Sequence, residues 1–137
     1  MSIEENKAIV SRYQECYNTN HLDGLDEIVD VGVLTPKIMP GMPSGLEGAK
    51  AVHQKTLIGM PDFRTEIQDL IAEDDKVVAR VIMTGTHTGN FYGIPATGKH
   101  VEFSGMFIAR IVDGKIVEHW GEEDSFSLLK QLGVHKI

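Results

Sequence analysis

The sequence has a single cysteine, Cys16, among its 137 residues. One cysteine can form neither an internal disulfide nor a structural four-thiolate metal site, and its scarcity fits a reducing compartment. A chain of this length buries enough apolar surface to fold without such supports. We therefore expect one domain spanning residues 1–137, with Cys16 in its core.

Long apolar runs and basic clusters are also missing. No run approaches the ~20 apolar residues needed to cross a bilayer, and the start lacks a basic segment followed by an apolar one. A cytoplasmic location is therefore expected. The net charge is -7, and Lys and Arg are scattered along the chain, so neither nucleic acid nor an anionic membrane is an expected partner.

Helical periodicity dominates the first half of the chain. Ser2 and Glu5 have the spacing of a capping box, and apolar residues then recur every three or four positions, which predicts a helix over residues 3–18. After a polar break, apolar residues predict a short second helix over 22–29, with Asn20 as its N-cap.

A third helix is predicted after a loop over residues 31–43, which is rich in Gly and Pro. Ser44 and Glu47 repeat the capping-box spacing, and the helix must end before Pro61. His53 falls on the apolar stripe of this helix. It is either a hydrogen-bonded core histidine or a residue of a pocket.

Alternating apolar residues replace the helical period from residue 63 onwards, which predicts strands. We expect strands over 63–72, 76–88 and 100–112, and the pair Asp113-Gly114 predicts a tight hairpin into a final strand. Helices followed by a meander of strands indicate an α+β fold, with the helices packed on the concave face of a curved antiparallel sheet.

The two faces of the predicted sheet differ in character. On the two longest strands, one face is almost wholly apolar and includes His87, Phe103 and Phe107, so we expect it to face the helices and any pocket. The opposite face, with Ile82 and Met106, is too apolar for a solvated surface. We predict that a second subunit covers it in a homodimer or tetramer.

Two segments carry a family resemblance. The segment from Gly85 to Lys99 reads GTHTGNFYGIPATGK, and the segment from Arg110 to Trp120 reads RIVDGKIVEHW. Both resemble motifs of the SnoaL-like polyketide cyclase family, and Asp124 with the LLKQLG that follows it is similar to the same family. The resemblance covers essentially the whole chain.

The resemblance implies a cone-shaped α+β barrel of the nuclear transport factor and ketosteroid isomerase superfamily. It also implies an enzyme that closes a ring in an aromatic polyketide by intramolecular aldol condensation, without a metal or an organic cofactor. In that family the acid at the position of Asp124 is the general acid/base. Such a reaction needs a base for a carbon flanked by carbonyls and an acid for the alkoxide formed.

The last strand leaves two questions open. Asp124 is either the catalytic acid/base or the N-cap of a final helix, a position that Ser125 could also take. Strict alternation places Trp120 on the same face as Asp124. A bulge at Gly121 would instead bring His119 to that face.

Our prediction is a cofactor-independent polyketide-cyclase-type aldol cyclase with Asp124 and His119 as catalytic residues. The alternatives are a non-catalytic ligand-binding or dimerisation domain on the same fold, and an isomerase or hydrolase of a small apolar substrate. His87 has a structural interpretation of its own, as a hydrogen-bonded residue at a strand end. The candidate residues for binding a small hydrophobic or polycyclic ligand are Tyr17, His53, His87, Phe103, Phe107 and Trp120.

Overall fold

The computed structural model describes residues 2–36 and 39–134. No helix within these ranges combines the length and the apolar composition that a membrane span requires. The elements follow in this order: α1 (Ile3–Asn18), a 3-10 helix (Leu22–Glu27), β1 (Val29–Leu34), α2 (Gly45–Gly59), β2 (Arg64–Glu73), β3 (Lys76–Thr86), β4 (His100–Val112), β5 (Lys115–Glu123) and α3 (Ser125–Gln131).

The strands form one sheet in the order β1-β5-β4-β3-β2. Strands β2 to β5 are an antiparallel meander, whereas β1 pairs with β5 in parallel. Helix α1 packs on β2 and β3, α2 packs on β1, and α3 packs on β4. The predicted α+β fold is therefore confirmed, although the sheet is open, with β1 and β2 as its edges.

Strand β1 is absent from the sequence-based prediction, which assigned its residues to the end of a helix and to a loop. The strand has six residues, and its register against β5 shifts between Val29 and Leu34. Its partner residues in β5, Ile116 and Glu118, lie more than eighty positions along the chain. Local periodicity cannot reveal a short, irregular strand whose pairing is this distant.

The helix caps agree with the sequence only in part. The capping box of α1 is present, since the Ser2 hydroxyl accepts from the Glu5 amide at 3.1 Å. Ser44 is the N-cap residue of α2, but its hydroxyl accepts no capping hydrogen bond from the described residues. Asn20 does not cap the second helix, because it has a φ of 55° and His21 precedes the 3-10 helix instead.

The inner face of the sheet forms the core, as the alternation predicts. Cys16 is also buried, as expected. The buried inner-face residues of the two central strands are Val77, Ala79, Val81, Met83 and Gly85 in β3, and Val101, Phe103, Gly105, Phe107, Ala109 and Ile111 in β4.

Candidate active site

A bulge in β5 decides which of its side chains face the interior. The pairing of β5 with β4 skips Val117, which lies in the bulge directly after Ile116. An extra residue reverses the alternation beyond it, so His119 lies opposite Ala109 of the buried face. The bulge that we considered at Gly121 does not occur, because the register runs without a shift from Glu118 to Glu123. His119 therefore reaches the buried face without joining the face of Asp124.

Trp120 faces outward as a result of the same bulge. It pairs with Ile108 on the outer face, its side chain is 47% exposed, and its indole Nε1 donates to Glu118 Oε1 at 3.2 Å. Strict alternation placed Trp120 on the face of Asp124, and the register beyond Trp120 keeps that phase. The bulge at Val117 turns this face outward, so Trp120 does not face the interior.

Five ring side chains from four elements meet inside the fold, and we call them the tyrosine–histidine cluster. Tyr13 and Tyr17 come from α1, with ring centroids 5.1 Å apart. Tyr17 lies 4.8 Å from His53 of α2, and Phe107 of β4 lies 4.7 Å from His119 of β5. Tyr13 joins the two halves at 5.9 Å from Phe107 and 5.7 Å from His119.

Burial keeps the titratable members of the cluster neutral. It lowers the pKa of His119 to about 4 and also lowers the pKa of His53. It raises the pKa of Tyr17 to about 12 and the pKa of Tyr13 well above its usual value. Burial has these effects because it disfavours the charged form of each group. At neutral pH the cluster therefore presents two imidazoles and two phenols without charge.

The cluster is partly accessible to solvent. Tyr13, Tyr17, His53 and His119 each keep part of their surface accessible, although burial is the main cause of their pKa shifts. His53 Nε2 is buried without a hydrogen-bond partner among the described residues, and it can hydrogen-bond to a ligand.

Asp124 lies apart from the cluster, at the end of β5. Its side chain is exposed, and its Oδ1 accepts from the Ser127 amide at 3.0 Å. Asp124, rather than Ser125, therefore caps α3. Because Asp124 follows His119 by five residues along an extended chain, their Cα atoms are ~16 Å apart. The structure does not bring the two predicted catalytic residues together.

His87 and Phe103 also lie outside the cluster. The His87 ring is fully buried, its Nδ1 accepts from the Thr97 amide at 3.2 Å, and its Nε2 lies 3.2 Å from the Ile94 carbonyl oxygen. Both ring nitrogens thus fasten the loop between β3 and β4, which agrees with the structural interpretation of this histidine. Phe103 is buried beside Phe63, with ring centroids 6.4 Å apart.

Tyr13 is the cluster member that the sequence reasoning missed as a site residue. It was assigned only to the apolar stripe of the first helix. Its spacing of four residues from Tyr17 puts both phenols on one helix face, and that spacing was the available signal.

Other features of the described residues lie away from the cluster. Two surface depressions, of about 470 and 320 Å³, have no cluster member in their lining. Within residues 2–36 and 39–134, no group of three or more His, Cys, Asp or Glu side chains is arranged to hold a metal ion.

Comparison with known proteins identifies the family to which this fold belongs. The model of the SnoaL-like polyketide cyclases matches residues 7–132, so the chain belongs to this family. Among its relatives, the aklanonic acid methyl ester cyclase DnrD of Streptomyces peucetius is 31% identical over 129 residues, which cover 91% of this chain and 88% of the relative.

Two further relatives support this membership. The nogalonic acid methyl ester cyclase of Streptomyces nogalater is 29% identical over 119 residues, which cover 85% of this chain and 89% of the relative. The solved structure of TsrD from Streptomyces laurentii superposes with a TM-score of 0.88 at 28% identity, covering 98% of each chain.

Proposed function

We propose that this chain closes a ring in a polyketide methyl ester by an intramolecular aldol reaction, without a metal or an organic cofactor. The observation that carries the proposal is the similarity to methyl ester cyclases along nearly the whole chain. The matched residues 7–132 include the complete tyrosine–histidine cluster and Asp124. The uncharged side chains of the cluster suit a substrate that is mostly apolar and carries carbonyl groups.

In this proposal Asp124 is the general acid/base. Its carboxylate would remove a proton from a carbon between two carbonyls and later protonate the alkoxide formed by attack on the ketone. The capping hydrogen bond engages Oδ1 of this carboxylate. An apolar substrate that covers the exposed side chain would exclude water from the carboxylate.

The cluster would bind the remainder of the substrate. Tyr13 and Tyr17 stay protonated because their pKa values are raised, so their hydroxyls can donate to substrate carbonyls. His119 is ~16 Å from Asp124 along the strand. In this proposal the cluster and Asp124 contact different parts of the substrate.

The variant Asp124→Asn tests the catalytic role of Asp124 without removing the helix cap, because asparagine caps a helix as well as aspartate does. With aklanonic acid methyl ester as substrate, we expect kcat to fall by about 10²–10⁴, the usual contribution of acid/base catalysis, at an unchanged melting temperature. Asp74→Asn removes a carboxylate in the hairpin turn between β2 and β3 and should leave kcat unchanged. Full turnover by Asp124→Asn would remove Asp124 from the mechanism.

A second candidate function is non-catalytic binding of the same class of ligand. The capping role of Asp124 favours it, because the hydrogen bond from Ser127 gives this side chain a structural purpose. In that case the protein would bind the methyl ester saturably, Asp124→Asn would bind it equally well, and neither protein would convert it.

A further inference from the structure

The larger surface depression lies between α2 and the loop that joins β3 to β4. Its volume of about 470 Å³ falls within the ~300–1,000 Å³ typical of small-molecule sites. It shares no residue with the tyrosine–histidine cluster. The depression is lined by Met39, Lys55, Ile58, Asn90, Tyr92 and Gly93.

Tyr92 has an unusual backbone conformation for its residue type. Among the described residues, four other than glycine have a positive φ, and three of these are the asparagine or aspartate residues that tolerate it. Tyr92 is the fourth, with a φ of 49°, followed by Gly93 at 88°. Phe91 and Ile94 exchange both backbone hydrogen bonds around this pair, which defines a tight hairpin whose first turn position favours Asn, Asp or Gly.

The strained turn presents the tyrosine ring to the depression. Tyr92 is exposed, and Lys55 Nζ lies 5.9 Å from the centroid of its ring. Backbone strain of this kind concentrates at ligand sites, where the side chain that it presents has a use. The ring of Tyr92 packs edge-on against Phe91, with centroids 4.7 Å apart, and is 36% exposed towards the depression.

The polar groups of the depression are donors. Lys55 forms no ion pair with any described residue, and no carboxylate is among the lining residues. Asn90 uses its Oδ1 to accept from the Gly93 amide at 2.9 Å, so its Nδ2 is the atom left for a ligand. Apolar surface comes from Met39 and from Ile58, whose side chain is 65% exposed.

We propose that this depression binds a small aromatic carboxylate. The carboxylate pairs with the ammonium of Lys55 and accepts from Asn90 Nδ2, while the aromatic ring packs against Ile58 and Tyr92. The site is distinct from the proposed cyclase site and goes beyond the proposed function, so failure of either proposal leaves the other standing.

The test is a titration of ¹⁵N-labelled protein with 2-naphthoate, followed by NMR. We expect saturable shifts of the Asn90 and Gly93 amides and none at Gly121, which lies opposite Phe107 of the cluster. The neutral analogue 2-naphthamide and the variant Lys55→Gln should each weaken binding about two- to fivefold, as expected for one exposed charge pair. Lys130→Gln, in the last turn of α3, is the matched control and should bind as the wild type does.

The variant Tyr92→Asn distinguishes a loss of the binding site from a loss of folding. Asparagine suits this turn position, so the variant should melt at a higher temperature than the wild type while binding 2-naphthoate more weakly. The proposal is overturned by an absence of saturable binding, by equal affinity for the naphthamide, by an unaffected Lys55→Gln variant, or by shifts confined to the cluster.

Discussion

His119 shows how burial fixes the charge of a single site residue. Its ring is enclosed by Tyr13 and Phe107, and burial lowers its pKa to about 4. The unfolded chain has a histidine pKa near ~6.5, so the unfolded state takes up a proton first as the pH falls. The contribution of His119 to the free energy of unfolding is therefore lost as the pH falls from about 6.5 to about 4.

His119→Phe should flatten this dependence, because phenylalanine preserves the ring packing and does not titrate. Urea unfolding at a series of pH values measures the effect. Between pH 6.5 and 4, the wild type should lose up to ~3 kcal/mol more than the variant. The pH dependence of stability that remains in the variant would include the contribution of His53, whose pKa is also lowered by burial. Parallel curves for the two proteins would contradict the buried, neutral assignment of His119.

Individual residues could be assigned to the inner face only where the strands are regular. Phe103 and Phe107 were placed correctly because β3 and β4 pair without interruption. Trp120 was assigned to the wrong face of the sheet because no glycine or proline in the sequence marks the bulge at Val117. The pairing of Tyr13 with His119 joins residues more than a hundred positions apart and follows only from the tertiary fold.

The cap of α3 is the clearest prediction at the level of one element. Asp124→Ala removes the acceptor for the Ser127 amide and should lower the free energy of unfolding by about 1 kcal/mol. Asp124→Asn should lower it by a few tenths at most, since asparagine caps equally well. Chemical denaturation of both variants measures the difference. Equal stability of the alanine variant and the wild type would show that the cap is dispensable.

A helix or strand could be predicted from the sequence where its residues follow one regular period along the chain. Strands β2 to β5 and helices α1 and α2 agree with the predicted segments because each follows one period over ten or more residues, or ends at a turn such as Asp113-Gly114. Strand β1 was not predicted because it is short and pairs with distant residues of β5. Single-domain organisation and a cytoplasmic location stay predictions.

At the scale of the whole molecule, an apolar row crosses the outer face of the sheet. Ile71, Val78, Ile108 and Trp120 are successive register partners on β2, β3, β4 and β5. Three of the four are exposed, and Glu118 holds the indole of Trp120 in place. Exposed apolar patches of this kind mark interaction surfaces. We propose that a second copy of the chain covers this face.

Analytical ultracentrifugation tests this proposal. The wild type should sediment as a dimer or tetramer, and Ile108→Glu should sediment as a monomer, because it places a charge in the centre of the row. Val31→Glu is the matched control: Val31 is 75% exposed on the edge strand β1 and is not a member of the row, so the variant should keep the wild-type assembly. A monomeric wild type would rule the interface out.

The mass of the reaction product tests the central claim, cofactor-independent ring closure, most directly. An intramolecular aldol reaction forms a carbon–carbon bond and moves a proton, so its product has the mass of the substrate. Protein treated with a chelator should convert aklanonic acid methyl ester into a compound of unchanged mass and altered chromatographic retention. No conversion, or a product whose mass shows that the ester has been hydrolysed, would contradict the claim.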